Sequence, residues 1–167
     1  MLIGVIGDTP GLLVDDVASV FADVDYILHC GNIGDANILT ELSTFAPITG
    51  VIGRTDSPEV YPFERTLFKK WLDVGVLVTH RIGNPMNISK ATEKLFKEYD
   101  PHVVLFGSHS EPFNSRIENR LVFSPGSAGL RRGKQPRTVG LLEIAGHASR
   151  AEVISLEDPA DVTTGDH

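Results

Sequence analysis

Short apolar runs alternate with helically spaced apolar positions through the first third of the chain. Leu2–Ile6 carries no polar residue, as expected for a strand buried on both faces. Leu13, Val17, Val20, Phe21 and Val24 then recur at helical spacing, with Asp15 and Asp16 near the N-terminal end, where the helix dipole favours acid. Tyr26–Cys30 reads as a second strand, Ala36–Ala46 as a helix with Ile38, Leu39, Leu42 and Phe45 on one face, and Ile48–Ile52 as a third strand. This β-α-β-α-β order predicts parallel strands joined by right-handed crossovers.

The pattern changes in the middle. Thr66–Trp71 and Val74–Thr79 are strand-like and separated only by Leu72–Asp73, which predicts a hairpin. A third helix is expected over 88–99, apolar at Ile88, Ala91, Leu95 and Phe96, with Glu93 and Lys97 as a surface pair. Val103–Phe106 is a further buried strand. Beyond it only short strands are expected, at Arg116–Glu118, Leu121–Ser124, Thr138–Ile144 and Arg150–Leu156. The expected fold is α/β, with two packed mixed sheets and helices outside. It forms a single domain over 1–156, followed by a disordered acidic tail over 157–167.

Composition narrows the function classes. A formal charge of −7 over 167 residues argues against a general nucleic-acid or anionic-membrane binder. A single cysteine, Cys30, excludes an internal disulfide and a cysteine-based zinc site; on a buried strand it reads as a small packed hydrophobe. No apolar run approaches a membrane span, and no basic segment precedes an apolar one at the N-terminus, so a cytoplasmic location is expected. Self-association is left open.

Ligands in open α/β sheets bind beyond the carboxyl ends of the strands. Those ends read "GDTPG" (7–11), "HCGNIGD" (29–35), "GRTD" (53–56), "THRIGN" (79–84), "GSHS" (107–110) and "SPGSAG" (124–129), each pairing glycine with polar or ionisable residues. Such a set predicts a common cleft, because glycine permits tight turns and close backbone approach. Dinucleotide, Walker and nucleophile-elbow spacings are all absent.

The order of these tips resembles the YfcE-like branch of the calcineurin-type metallophosphoesterases, a branch that also includes a retromer subunit. That family reads G-D-x-H-G, H-x-G-D, G-N-x-D, T-H-G, G-H-T-H and N-P-G-S in the same order. The resemblance spans essentially the whole of 1–156 and implies a four-layer α-β-β-α fold. It also implies two divalent metals (manganese, iron, zinc or nickel) that activate water and clamp a phosphate ester.

Mapped by that resemblance, the ligand positions are Asp8, Pro10, Asn32, Arg54, His80, Ser108 and Ser110, and only Asp8 and His80 keep the family's residue. Proline has no ligand atom, an amide replaces the bridging carboxylate at Asn32, Arg54 repels cations, and serine is a poor substitute for imidazole. Side chains on an extended tip alternate, so His109 is expected to face away from the positions of Ser108 and Ser110.

The resemblance therefore implies a degenerate member, a pseudoenzyme without resident metal. Its cleft would bind a phosphate-containing small molecule, or its domain would serve a protein partner. Arg54, Arg81, Ser108, Ser110, Arg131 and Arg132 are the candidate anion-binding residues, with Asp56, His109 and Ser127 lining the cleft. A competing reading makes Arg54 a plug paired with Asp8 or Asp56. The alternative function is an active metal-dependent phosphodiesterase or phosphatase rebuilt on Asp8, Asn32 and His80. His29 and Asp56 are expected in structural roles, and Tyr61, Phe63 and Trp71 in packing.

Overall fold

A computed structural model of the chain describes residues 1–10, 13, 15–129 and 133–156. Two five-stranded mixed sheets lie face to face. The first has the order β12-β11-β1-β2-β3, built from β1 (Leu2–Ile6), β2 (Tyr26–His29), β3 (Ile48–Gly50), β11 (Arg137–Ala145) and β12 (Ala148–Leu156). The second, β4-β5-β8-β10-β9, contains β4 (Thr66–Trp71), β5 (Val74–Thr79), β8 (Val103–Phe106), β9 (Phe113–Ile117) and β10 (Arg120–Ser124).

Side-chain alternation sets the layers. Ile3 and Val5 of β1 point between the sheets, where they meet Val76 and Val78 of β5 and Leu105 of β8. Ile6 points outward with Ile27, under Val17 and Phe21 from the region of helix α1 (Asp16–Val20) and Leu42 of helix α2 (Ala36–Ser43). Gly4 also lies on that outer face; a Cβ there would stand 2.8 Å from the Phe21 ring, so the missing side chain is what admits the phenyl group. On the far side, Val104 and Phe106 of β8 pack with Ile82 and Val122 beneath Phe96 of helix α3 (Lys90–Tyr99). The result is helix, sheet, sheet, helix, and β1, apolar on both faces, is buried from Ile3 to Ile6 as its composition predicts.

Helix ends follow local chemistry. Asp35 caps α2 (Ala36–Ser43) by accepting from the Asn37 N–H at 2.8 Å, and Ser89 caps α3 (Lys90–Tyr99) by accepting from Thr92 at 3.2 Å. α1 is shorter than its periodicity predicts, only Asp16–Val20. Asp15 makes no side-chain capping bond, and β-branched Val17 and Val20 add little propensity, so burial of Val17 and Phe21 sustains a single turn.

Two other expectations are corrected. β11 and β12 are nine residues each, not short, because β11 pairs with β1 on one side and with β12 along its full length on the other. A two-residue ribbon, β6 (Gly83–Asn84) with β7 (Asn87–Ile88), precedes α3, so that helix begins after Ser89. Tyr61 and Trp71 are buried, and Phe63 packs beside Ile33 and Ile52. The expected tail over 157–167 lies outside the described residues. No helix among those described is long and apolar enough to cross a membrane.

Candidate functional site

β1, β2 and β3 run parallel, as do β5, β8 and β10, so their carboxyl tips collect in two neighbouring groups. Backbone geometry at the tips is unusual. Asp8 (φ 48°) and Asn32 (φ 55°) adopt the left-handed conformation, which short polar side chains tolerate best. The two tips are tied together by Asp8 N–H to Gly31 O at 3.1 Å and Thr9 N–H to Asn32 O at 2.9 Å.

His80 joins the two sheets. Its Nδ1 lies 2.8 Å from the carbonyl oxygen of Cys30, which can only accept, so Nδ1–H is the donor. The His80 carbonyl in turn accepts from the N–H groups of Gly107 (3.1 Å) and Ser108 (2.8 Å). Gly107 sits against the Cys30 carbonyl so closely that a Cβ would collide with that oxygen.

Beneath this lies a second polar chain. His29 is wholly buried; its Nδ1 accepts from Gly31 N–H at 3.0 Å and its Nε2–H donates to Thr9 Oγ1 at 2.9 Å. The Thr9 hydroxyl in turn donates a hydrogen bond to the Ile33 carbonyl at 2.9 Å. Burial lowers the His29 pKa to about 4, against a smaller upward pull from Asp56 and a further lowering by His80. Burial, with Asp8 adding to it, pushes the Cys30 thiol far above its usual range, as suits a packed and unreactive cysteine.

Asp56 is also buried. One carboxylate oxygen accepts from Ile33 N–H (2.8 Å) and Gly34 N–H (3.4 Å), the other from Gly53 N–H (2.7 Å). It clamps the loop after β2 to the loop after β3. Asn32 Oδ1 accepts from Thr55 N–H at 3.3 Å and Thr55 Oγ1–H at 3.0 Å, which uses the lone pairs of the only side-chain oxygen there. Among the described residues, no three His, Cys, Asp or Glu side chains stand close enough together to hold a metal ion.

A cavity of about 410 Å³ opens beside His80, lined by Ile52, Gly53, Arg54, Thr79 and Arg81, and also by Arg65. None of the lining residues is acidic. Among the described residues, Arg54, Arg65 and Arg81 enter no ion pair, with Asp8 or Asp56 or otherwise, so the plug expected of Arg54 is absent. A larger groove of about 750 Å³ lies under α3 on the outer face of the second sheet, around Met86, Phe96 and Arg120, but carries none of the tip motifs.

The expected site residues therefore divide. Arg54, His80 and Arg81 come together in the cavity; Asp8, buried, and Asn32, half-buried, follow the ends of β1 and β2 and are not among its lining residues. His109 stacks edge-on against Phe106 at 5.6 Å, on the α3 side of the sheet. Ser108 and Ser110 are not among the cavity's lining residues, and Ser127 is buried in a loop whose carbonyl accepts from Thr138 N–H. Arg131 and Arg132 lie outside the described residues. Arg65 belongs to no strand-tip motif; it joins the site because it adjoins Thr66, which pairs with Thr79 next to His80.

The domain model of the calcineurin-like phosphoesterase superfamily matches residues 1–147. The chain belongs to that superfamily. It is 32% identical over 170 residues to a probable metallophosphoesterase of Methanothermobacter thermautotrophicus, covering 95% of each chain. It is 30% identical over 144 residues to one of Methanocaldococcus jannaschii, covering 79% of this chain and 70% of the relative. Among solved structures, vacuolar protein sorting 29 of Cryptosporidium parvum superimposes with a TM-score of 0.79 at 17% identity, over 94% of this chain and 92% of that one. The four-layer metallophosphoesterase fold expected from the motif order is thus the fold of the chain.

Proposed function

We propose that this superfamily member binds phosphate-type anions through arginine, in the place where an active relative would use metals, and that two-metal hydrolysis is weak or lost. The observation that carries this reading is the cavity bounded by Arg54, Arg65 and Arg81 beside His80, with no acidic residue in its lining. A pair of divalent ions needs bridging and flanking anionic or imidazole donors. The positions that would supply them hold Pro10, Asn32, Arg54, Ser108 and Ser110, and the Asn32 oxygen is already engaged by Thr55. A guanidinium at position 54 disfavours a dication and favours an oxyanion, which it grips with paired N–H groups. Asp8 and His80 are what remains of the ligand set.

One observation favours the competing reading, an active metal-dependent phosphodiesterase built on Asp8, Asn32 and His80. His80 donates Nδ1–H to a backbone carbonyl, the arrangement that orients metal-binding imidazoles. Use of the domain as a scaffold for a protein partner in the cytoplasm rests on the fold likeness alone.

Metal analysis of the purified protein, beside a phosphodiester hydrolysis assay with added manganese or nickel, decides between them. The expected result is no stoichiometric metal and no turnover, with phosphate in the presence of EDTA raising the unfolding temperature and the double variant Arg54→Gln/Arg81→Gln losing that protection. Bound metal together with turnover abolished by Asp8→Ala would overturn the proposal.

A further inference from the structure

Resting on that anion-binding reading, we infer that the ligand carries two linked phosphoryl groups, an organic or inorganic diphosphate, and that Arg65 selects it over a single phosphate. Three separate segments each contribute one exposed arginine to the lining of the cavity: the loop after β3 brings Arg54, the entry to β4 brings Arg65, and the exit of β5 brings Arg81. Each guanidinium presents a fork for two oxygens, so three forks are matched by about six terminal oxygens; inorganic diphosphate has about six and a diphosphate monoester about five, against about four on a lone phosphate. Charge points the same way, since three fixed cations with no lining carboxylate match the roughly threefold negative charge of a diphosphate at neutral pH.

Size agrees. A cavity of about 410 Å³ is far larger than one phosphate group, and Ile52 and Thr79 in its lining leave room for an organic body. Arg65 is held in place by the backbone on both sides of it. The preceding residue, Glu64, forms a parallel bridge with Val51 and its carbonyl accepts from Ile52 N–H at 2.9 Å. The following residue, Thr66, pairs with Thr79. Arg65 therefore adjoins the last pair of the hairpin, while its other neighbour is joined to the segment that leads to Arg54. Arg65 and His80, the residues just beyond that last pair, line the same cavity.

The test is calorimetric titration of the whole protein with inorganic phosphate and with inorganic pyrophosphate, at fixed ionic strength and in EDTA. Wild type is expected to bind pyrophosphate at least tenfold more tightly than phosphate. Arg65→Gln should bring that ratio below threefold and change phosphate affinity by less than threefold. Lys70→Gln, which removes the same charge from an exposed position further along β4, should leave the ratio intact. Equal wild-type affinities, an Arg65→Gln effect of equal size on both anions, or the same effect from Lys70→Gln would each overturn the inference and leave the anion site standing. Binding of neither anion would remove the proposed function and the inference together.

Discussion

The Nδ1–H of His80 donates to the carbonyl oxygen of Cys30 across 2.8 Å, joining the tip of β5 in one sheet to the tip of β2 in the other. Both partners are buried. Removing the imidazole leaves a buried carbonyl unsatisfied, at a cost of about 1–3 kcal/mol. His80→Ala should lower the urea midpoint accordingly. His80→Asn, whose amide N–H reaches about as far as Nδ1, should recover most of the loss. Equal destabilisation by both variants would show that the ring's packing, not its hydrogen bond, holds the sheets together.

His29 makes stability depend on pH. Its pKa is lowered from 6.5 to about 4 in the folded protein, because burial penalises the imidazolium and Nδ1 already accepts from Gly31 N–H. The unfolded chain therefore takes up a proton that the folded one refuses as pH falls through 6.5 towards 4. The stabilisation is complete above 6.5 and declines below it, by about 3 kcal/mol in all. Denaturant titrations at neutral pH and near pH 4.5 should show this loss in wild type and a smaller one in His29→Gln. The same decline in both proteins would assign it to other groups.

Asp56 satisfies three backbone N–H groups, on Ile33, Gly34 and Gly53. Asp56→Ala should cost about 3 kcal/mol or more, since the buried donors of Ile33 and Gly53 lose their acceptor, and Asp56→Asn should cost less because one oxygen remains. Gly53 precedes Arg54, so the alanine variant should also weaken phosphate protection in a thermal unfolding assay. Protection unchanged in Asp56→Ala would separate the clamp from the cavity.

Two glycines with positive φ should respond differently to alanine. At Gly31 (φ 98°) a Cβ would meet His80 Nδ1 at 2.7 Å and the Gly53 backbone nitrogen at 2.9 Å, whereas at Gly146 (φ 60°) nothing lies within 4 Å. Gly146→Ala should cost about 1 kcal/mol, the conformational term alone. Gly31→Ala adds steric conflict and should cost about twice that or more, read as a larger fall in denaturation midpoint. Equal midpoints would mean that the strand tips yield readily.

Local pattern made much of the molecule legible. Leu2–Ile6 carries enough apolar surface to be buried on both faces, Thr66–Trp71 and Val74–Thr79 declare a hairpin, and the order of strand tips identified the superfamily. The extent of α1, β11 and β12 was not legible in the same way. Each depends on a neighbour distant in the chain: Val17 and Phe21 need the outer face of β1 and β2, and β11 runs its length because it pairs with both β1 and β12.

The candidate site divides along the same line. The residue types at positions 8, 10, 32, 54, 80, 108 and 110 are properties of the sequence, and they alone determine which donors a metal would meet. That Arg54 avoids Asp56 is a tertiary fact, because Asp56 spends its oxygens on the N–H groups of Ile33, Gly34 and Gly53. That Arg65 joins Arg54 and Arg81 is another. It follows from the Val51–Glu64 bridge and the Thr66–Thr79 pairing, backbone hydrogen bonds between segments whose side chains give no local sign of the partner they meet.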